Sequence, residues 1–198
     1  RSTMPGVHFD LNEQAGLLQQ VCEKYKDEYT KFGADGPNEF SRYYVHNGSF
    51  SEMDGDVLYS MVRHLKPRKM IEIGSGYSTL AAGAALAKNV EETGVACEFT
   101  AIEPYPGKHI SSGVPGLTTL LPKPVQAINL ETFAALEEND ILFIDSTHVV
   151  MIDSDVVYEV LEILPRLRPG VLVHLHDIFL PYDYPENWIK KLGFFWNE

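Results

Sequence analysis

The sequence has 198 residues, of which 44% are hydrophobic and 22% are charged. This balance is typical of one globular domain with a sizeable core. The formal net charge of −12 argues against a nucleic-acid partner, because binding a phosphate backbone needs clustered lysine and arginine.

The first third of the chain is predicted to be a helical lead-in. An apolar stripe at helical spacing begins near residue 11, with Asp10 or Asn12 available as the N-cap. A loop rich in Gly, Asp and Pro follows at 32–38. A second helix is expected from Asp54 to residue 65. We expect residues 1–66 to cover a ligand crevice rather than to form a second domain.

The rest of the chain alternates between strands and helices. Short apolar runs predict strands, and longer periodic stretches predict helices. This rhythm predicts βαβ units, hence a Rossmann-like three-layer α/β sandwich with a mostly parallel sheet. Ligands of such sheets bind at the carboxyl ends of the strands. The predicted strands are 69–73, 98–102, 117–121, 141–144 and 171–175, and the predicted helices are 80–88 and 149–164.

The termini and the cysteines give further expectations. Arg1-Ser2-Thr3 before Met4 resemble a remnant of an expression vector, and no signal-peptide pattern is visible. Cys22 and Cys97 are far apart in the sequence, so neither a disulfide framework nor a cysteine zinc site is expected. No apolar run approaches the roughly 20 residues of a membrane span. We therefore expect a cytoplasmic location and no membrane partner.

A glycine loop joins the first predicted strand to the next helix. Gly74 and Gly76 permit a tight turn and a close approach of the backbone to a ligand. The helix that follows offers free N–H groups to an anionic group. A nicotinamide dinucleotide is the main rival ligand, but its third glycine position holds Thr79, and Glu103 lies beyond the roughly 20-residue spacing of that motif. A plain strand–helix turn is the structural alternative.

Four segments in order resemble the motifs of class I S-adenosylmethionine-dependent methyltransferases. They are Glu72-Ile73-Gly74-Ser75-Gly76, Ala101-Ile102-Glu103-Pro104, Ile141-Leu142-Phe143-Ile144-Asp145 and Pro169-Gly170-Val171-Leu172-Val173. The resemblance implies one methyltransferase domain over 1–198, with 67–198 as the cofactor-binding core. It implies that Glu103 binds the ribose hydroxyls, since a carboxylate can accept two hydrogen bonds from a diol. The implied S-adenosylmethionine contacts are Glu72, Gly74, Ser75, Gly76, Tyr77, Ser78, Glu103, Pro104, Gln126 and Asp145.

The sequence also departs from this family. The frequent third glycine of the loop is replaced by Ser78, and Gln126 is the one polar candidate for the adenine contact on the third strand. The family sheet normally ends in an antiparallel hairpin, but only about twenty residues follow the fifth strand. Either the chain is truncated or the sheet is short, and an open sheet edge favours a homo-oligomer.

Acidic residues and a histidine follow the fourth and fifth strands. Asp145 and Asp177 end neighbouring strands, and their carboxylates suit a divalent cation such as Mg²⁺. His148 could accept a proton. The Asp-x-x-His pattern resembles that of metal-dependent sugar and macrolide O-methyltransferases. The resemblance implies metal roles for Asp145 and Asp177 and a base role for His148. Asp145 could instead cap the strand end or orient the substrate without metal.

Other aromatic and histidine residues have two interpretations each. His174 and His176 share one face of a strand, and His176 is the better functional candidate because a core role suits His174. Tyr43, Tyr44 and Asn47 either line the substrate or methionine pocket or pack against the sheet. Another three aromatic residues either form a lid over the acceptor site or pack on the surface, namely Tyr182, Tyr184 and Trp188.

The sequence as a whole predicts methyl transfer from S-adenosylmethionine to a hydroxyl of a small molecule, with Asp145 and His148 as catalytic residues. Three alternatives stay open: a nicotinamide-dependent oxidoreductase, which lacks an evident Tyr-x-x-x-Lys pair; a non-catalytic binding domain; and an N-methyltransferase, which needs no metal.

Overall fold

The computed structural model describes residues 4–36 and 42–198. Arg1-Ser2-Thr3 and residues 37–41, which include the end of the predicted loop at 32–38, lie outside this described part. Five strands form one parallel sheet in the order β3-β2-β1-β4-β5. The strands are β1 (Lys69–Ile73), β2 (Glu98–Ile102), β3 (Thr119–Leu121), β4 (Ile141–Ile144) and β5 (Leu172–Leu175).

Helices cover the sheet and precede it. None of the helices within residues 4–36 and 42–198 has the length and apolar character that crossing a membrane requires. Short 3₁₀ or π turns lie at Val125–Ala127, Glu159–Ile163, Leu164–Arg166 and Trp188–Leu192. The α-helices are α1 (Leu11–Tyr29), α2 (Glu52–Leu65), α3 (Tyr77–Thr93), α4 (Lys108–Ser111), α5 (Leu130–Ala134) and α6 (Asp155–Tyr158).

The two faces of the sheet belong to two separate apolar clusters. Met70 and Phe143 point to the cluster formed with α2 and α3. Ile71 and Leu142 point to the cluster on the other face, with α5 and the turns after α6. Successive strand residues face opposite sides, so a sheet covered on both faces has almost continuous apolar strands. The predicted Rossmann-like α/β class with a mostly parallel sheet is therefore confirmed.

A buried arginine joins the helical lead-in to the sheet layers. Arg63 on α2 is 1% exposed, and its Nε donates to Glu28 of α1 at 2.7 Å. Its guanidinium also donates to Asn89 and Glu92 of α3. A buried arginine is stable only when its donors are paired with carboxylates or other acceptors, and this network satisfies it. The three helices are thereby held together beside the sheet.

The predicted helix at 149–164 is shorter than expected. Residues before Ser154 form a loop, and Ser154 caps α6 by accepting a hydrogen bond from the Val157 N–H at 3.3 Å. His148 and Asp153 have φ of +61°, which a helix does not allow. Ile152 is fully exposed, so its apolar side chain gives a false helical signal. The loop at 147–154 instead borders the carboxyl edge of β4.

The strand β5 is an edge of the sheet. Its inner side pairs with β4, and no strand of the described part of the chain pairs with its outer side. Val173 and Leu175 are 39% and 43% exposed. The expected homo-oligomer would use such an edge, and it stays a prediction.

Candidate functional site

The turn after β1 makes close contact with the end of β4. Gly74 has φ of +84°, and a Cβ placed on it would lie 1.9 Å from the carbonyl oxygen of Asp145. The Gly74 N–H donates to Ile102 of β2 at 3.0 Å, and the Asp145 N–H donates to Ile73 at 2.9 Å. Any side chain at position 74 would therefore push the ends of β1 and β4 apart.

A buried carboxylate holds the glycine loop from below. Glu72 is fully buried and accepts hydrogen bonds from the hydroxyls of Ser78 at 2.7 Å and Thr79 at 2.6 Å. The Thr79 hydroxyl oxygen in turn accepts from the Gly76 N–H at 3.0 Å. Burial raises the pKa of Glu72 to about 8, although the two hydroxyl donors oppose this rise. Glu72 thus positions the loop, and its direct contact with a cofactor stays a prediction.

Two neighbouring cavities open above the carboxyl edge of the sheet. One measures about 750 Å³ and the other about 480 Å³. Gly74, Glu103, Asp145 and Ser146 line both of them, so they form one divided crevice. The structure brings all the predicted cofactor contacts except Glu72 to these walls. The larger cavity takes Ser75, Gly76, Tyr77 and Ser78, and the smaller takes Pro104 and Gln126.

Glu103 stands where the two cavities meet. Its carboxylate accepts hydrogen bonds from the N–H groups of Ser75 at 3.3 Å and Tyr105 at 2.8 Å. Each carboxylate oxygen has further lone pairs, so both can still accept from a ligand hydroxyl. In the smaller cavity, the Gln126 amide donates to the carbonyl of Asp153 at 2.9 Å, which fixes its orientation.

His148 lies between two carboxylates. Its Nε2 is 3.2 Å from Oδ1 of Asp145, and its Nδ1 contacts Glu198. The ring of Trp196 stacks on the imidazole with centroids 4.1 Å apart. Burial disfavours the charged imidazolium, but the two carboxylates outweigh burial and raise the pKa of His148 to about 9. The His148 side chain is therefore the charged imidazolium at neutral pH in this arrangement.

The end of β5 carries a second histidine–aspartate pair. His176 Nε2 lies 3.7 Å from Asp177 Oδ1. Burial raises the pKa of Asp177, while His176 opposes the rise and the charges of Asp145 and Asp54 add to it. His174 stacks on Phe143 at 4.4 Å, and burial lowers its pKa to about 4. His174 is thus a neutral residue packed against the sheet, whereas His176 reaches the larger cavity.

The donor chemistry of the predicted metal ligands suits a hydrated ion. No group of three or more His, Cys, Asp or Glu residues in 4–36 and 42–198 could hold a metal ion. Mg²⁺ commonly takes only one or two carboxylates from a protein and keeps several waters. Asp145 and Asp177 fit that requirement, and both line the larger cavity. Metal binding stays a prediction.

The segment before α2 is mostly structural. The Tyr43 hydroxyl donates to the carbonyl of Phe50 at 2.9 Å, and Asn47 accepts from the Phe50 N–H at 2.7 Å. These bonds place Phe50 on the wall of the larger cavity. The Tyr44 hydroxyl lies 2.9 Å from that of Tyr77. Tyr44 therefore contacts the glycine loop, while Tyr43 and Asn47 support their own segment.

Aromatic residues near the end of the chain form another wall of the larger cavity, which we call the aromatic wall. Trp188 lines the larger cavity, as do Phe194 and Trp196, while Tyr184 donates to Glu198 at 3.1 Å behind them. Sequence patterns do not identify several lining residues, because most of these come from loops without periodicity, and Asp54 and His109 come from helices whose pattern does not indicate a role in the site. The residues missed in this way are Phe50, Asp54, His109, Ser146, Thr147, Met151, Phe194 and Trp196.

Replacing Gly74 with alanine is expected to damage the fold, whereas replacing Gly76 is not. A side chain at a left-handed position costs about 1–3 kcal/mol, and at Gly74 the overlap with the Asp145 carbonyl adds to that cost. Gly76 has φ of −174°, and a Cβ at this position would have no atom within 4 Å. Urea denaturation of both variants measures the difference. Equal stability of Gly74→Ala and Gly76→Ala would contradict this account of the turn.

The central part of the chain is similar to known proteins. Residues 71–178 match the sequence model of a methyltransferase domain. An uncharacterized protein of Archaeoglobus fulgidus is 31% identical over 133 residues, which make up 66% of this chain and 59% of that protein. The chain therefore spans less than two thirds of that relative's length.

Among solved structures, the SAH-bound methyltransferase PaMTH1 of Podospora anserina is similar, with 22% identity and a TM-score of 0.36 over 73% of this chain and 62% of that one. The family match covers more than half of the chain. This protein therefore belongs to the methyltransferase domain family, which confirms the assignment to class I S-adenosylmethionine-dependent methyltransferases.

Proposed function

We propose that this protein transfers the methyl group of S-adenosylmethionine to a hydroxyl of a small molecule. The observation that carries the proposal is the divided crevice. The glycine loop, Glu103 and Asp145 come from three adjacent strand ends, and they border both of its cavities. Ligands of open parallel sheets bind in this position. The net charge of −12 favours a small-molecule acceptor over nucleic acid.

The two cavities match the two halves of the cofactor. The adenosine half would occupy the smaller cavity, beside Pro104 and Gln126, and the methionine half would lie over the glycine loop in the larger one. Glu103 stands between them, where the ribose hydroxyls would be. Its free lone pairs suit a diol, since each ribose hydroxyl can donate to one carboxylate oxygen.

Isothermal titration calorimetry with S-adenosylmethionine, S-adenosylhomocysteine and NAD tests the cofactor. The first two should bind and NAD should not. Glu103→Ala should weaken the binding of S-adenosylhomocysteine about 10- to 100-fold, because hydrogen bonds to a charged group contribute roughly that much to affinity. Glu98→Ala, at the exposed start of the same strand, is the matched control and should bind normally. Binding of NAD alone would refute the proposal.

His148 is proposed as the base that takes the acceptor proton. The sulfonium already activates the methyl group, so the protein must align the acceptor and remove one proton. His148 lies on the wall of the larger cavity, where Asp145 and Glu198 stabilise the imidazolium. With a pKa of about 9, His148 must lose its proton before it can act as a base. The sulfonium would bring a positive charge into the same cavity, which lowers that pKa and favours the neutral, proton-accepting imidazole.

Substitution of His148 should separate chemistry from cofactor binding. A screen of hydroxylated small molecules with methyl-labelled S-adenosylmethionine first identifies an acceptor. With that acceptor, His148→Ala should lower kcat by about 10²- to 10⁴-fold, the usual contribution of a general base. Its affinity for S-adenosylhomocysteine should stay close to that of the control His8→Ala, whose side chain is exposed. Unchanged turnover would reject His148 as the base.

A divalent cation is a further proposal for the same site. Asp145 and Asp177 would hold Mg²⁺, which lowers the pKa of a hydroxyl bound to it. The support is that burial and neighbouring carboxylates raise the pKa of Asp177, because a nearby cation would relieve that repulsion.

Metal removal tests this role. EDTA should lower methyl transfer, and added Mg²⁺ should restore it. Asp177→Asn should weaken Mg²⁺ binding to the protein loaded with S-adenosylhomocysteine, with little change in affinity for that ligand. Full activity in EDTA, with no heat of Mg²⁺ binding, would exclude the metal and leave an N-methyltransferase as the stronger candidate.

A further inference from the structure

The larger cavity has an unbalanced charge. Four carboxylates line it, and no lysine or arginine of the described part of the chain does. The sulfonium and the amino group of S-adenosylmethionine suit such a wall, but its carboxylate does not. That carboxylate must find hydrogen-bond donors, because an unpaired charge in a partly buried site is costly. The four acids are Asp54, Glu103, Asp145 and Asp177.

Two of the three histidines that line this cavity already have acidic neighbours. His148 lies between the carboxylates of Asp145 and Glu198. His176 lies 3.7 Å from Asp177, and its Nδ1 is 3.3 Å from His174. Neither histidine is placed to receive a further anion, because the carboxylates beside them would repel it.

His109, the third histidine of this cavity, differs from the other two in its hydrogen bonding. Its Nε2 is buried and has no hydrogen-bond partner. The imidazole stacks on the ring of Tyr77 in the glycine loop, with centroids 5.1 Å apart and planes at 17°. It also lies against Gly107, where a Cβ would approach its ring to 2.6 Å. The ring is thus held from two sides, and a buried polar atom without a partner calls for an explanation such as a missing ligand.

A second unpartnered atom lies in the glycine loop. The hydroxyl oxygen of Ser75 is also buried without a hydrogen bond, although the Ser75 N–H is bonded to Glu103. Ser75 and His109 both line the larger cavity. The described wall of this cavity therefore holds two orphan polar atoms, one on the loop and one on α4.

We propose that His109, with the hydroxyl of Ser75, binds the carboxylate of the methionine half of the cofactor. This inference rests on the proposed function. A neutral imidazole with its proton on Nε2 donates one hydrogen bond, and a serine hydroxyl donates another. Such bonds to a carboxylate are charge-assisted and so are stronger than neutral ones. His109 then discriminates between the whole cofactor and its nucleoside half, because only the whole cofactor has the carboxylate.

The test compares S-adenosylhomocysteine with 5′-methylthioadenosine, which has the same nucleoside but no carboxylate. By calorimetry, His109→Ala should weaken S-adenosylhomocysteine about 10- to 100-fold and leave 5′-methylthioadenosine unchanged. His109→Gln retains an N–H donor and should recover part of the loss. His64→Ala, on the exposed side of α2, is the control and should match the wild type with both ligands.

The outcomes separate this inference from the proposal on which it rests. If the wild type binds neither ligand, the proposed cofactor is wrong. If the wild type binds S-adenosylhomocysteine and His109→Ala binds it equally well, the role of His109 is wrong. An equal loss of both ligands in His109→Ala also overturns it, because that pattern means a general effect on the pocket.

Discussion

The contact between the Gly74 turn and the Asp145 carbonyl is the constraint on which the site depends. It fixes the ends of β1 and β4 against each other, and the crevice opens directly above that point. Glu72 adds a second restraint, since it holds two hydroxyls of α3 beneath the loop. The loop is therefore set by packing and buried hydrogen bonds before any ligand arrives, so little ordering entropy remains to be lost on binding.

The larger cavity has polar groups of two kinds. Asp145 and Asp177 follow β4 and β5, and the unpartnered atoms of Ser75 and His109 lie on the loop and on α4. A ligand with a positive and a negative group can satisfy both parts only in one orientation. Electrostatic complementarity of this kind selects the binding pose more than it adds affinity. Under the proposed function, this arrangement would specify which way the zwitterionic cofactor lies.

The parts that the sequence predicts well are those with a local pattern. Alternation of strands and helices predicts the sheet, and the glycine loop and Glu103 predict much of the crevice wall. Residues whose role depends on distant contacts escape such reasoning. His109 becomes a candidate site residue only because it stacks on Tyr77. Trp196 becomes one only because it stacks on His148. The start of α6 escapes prediction because Ile152 is apolar yet exposed.

The segment around Asn197 has a consequence for how the larger cavity could change. The Asn197 N–H donates to the carbonyl of His148 at 3.0 Å, and its side chain accepts from the Val150 N–H at 2.7 Å. The aromatic wall is thus hydrogen-bonded to the loop after β4, whereas the glycine loop joins β1 to α3. The aromatic wall and the glycine loop are therefore encoded in separate stretches of chain. Variation within 184–196 can reshape the larger cavity while the loop is kept.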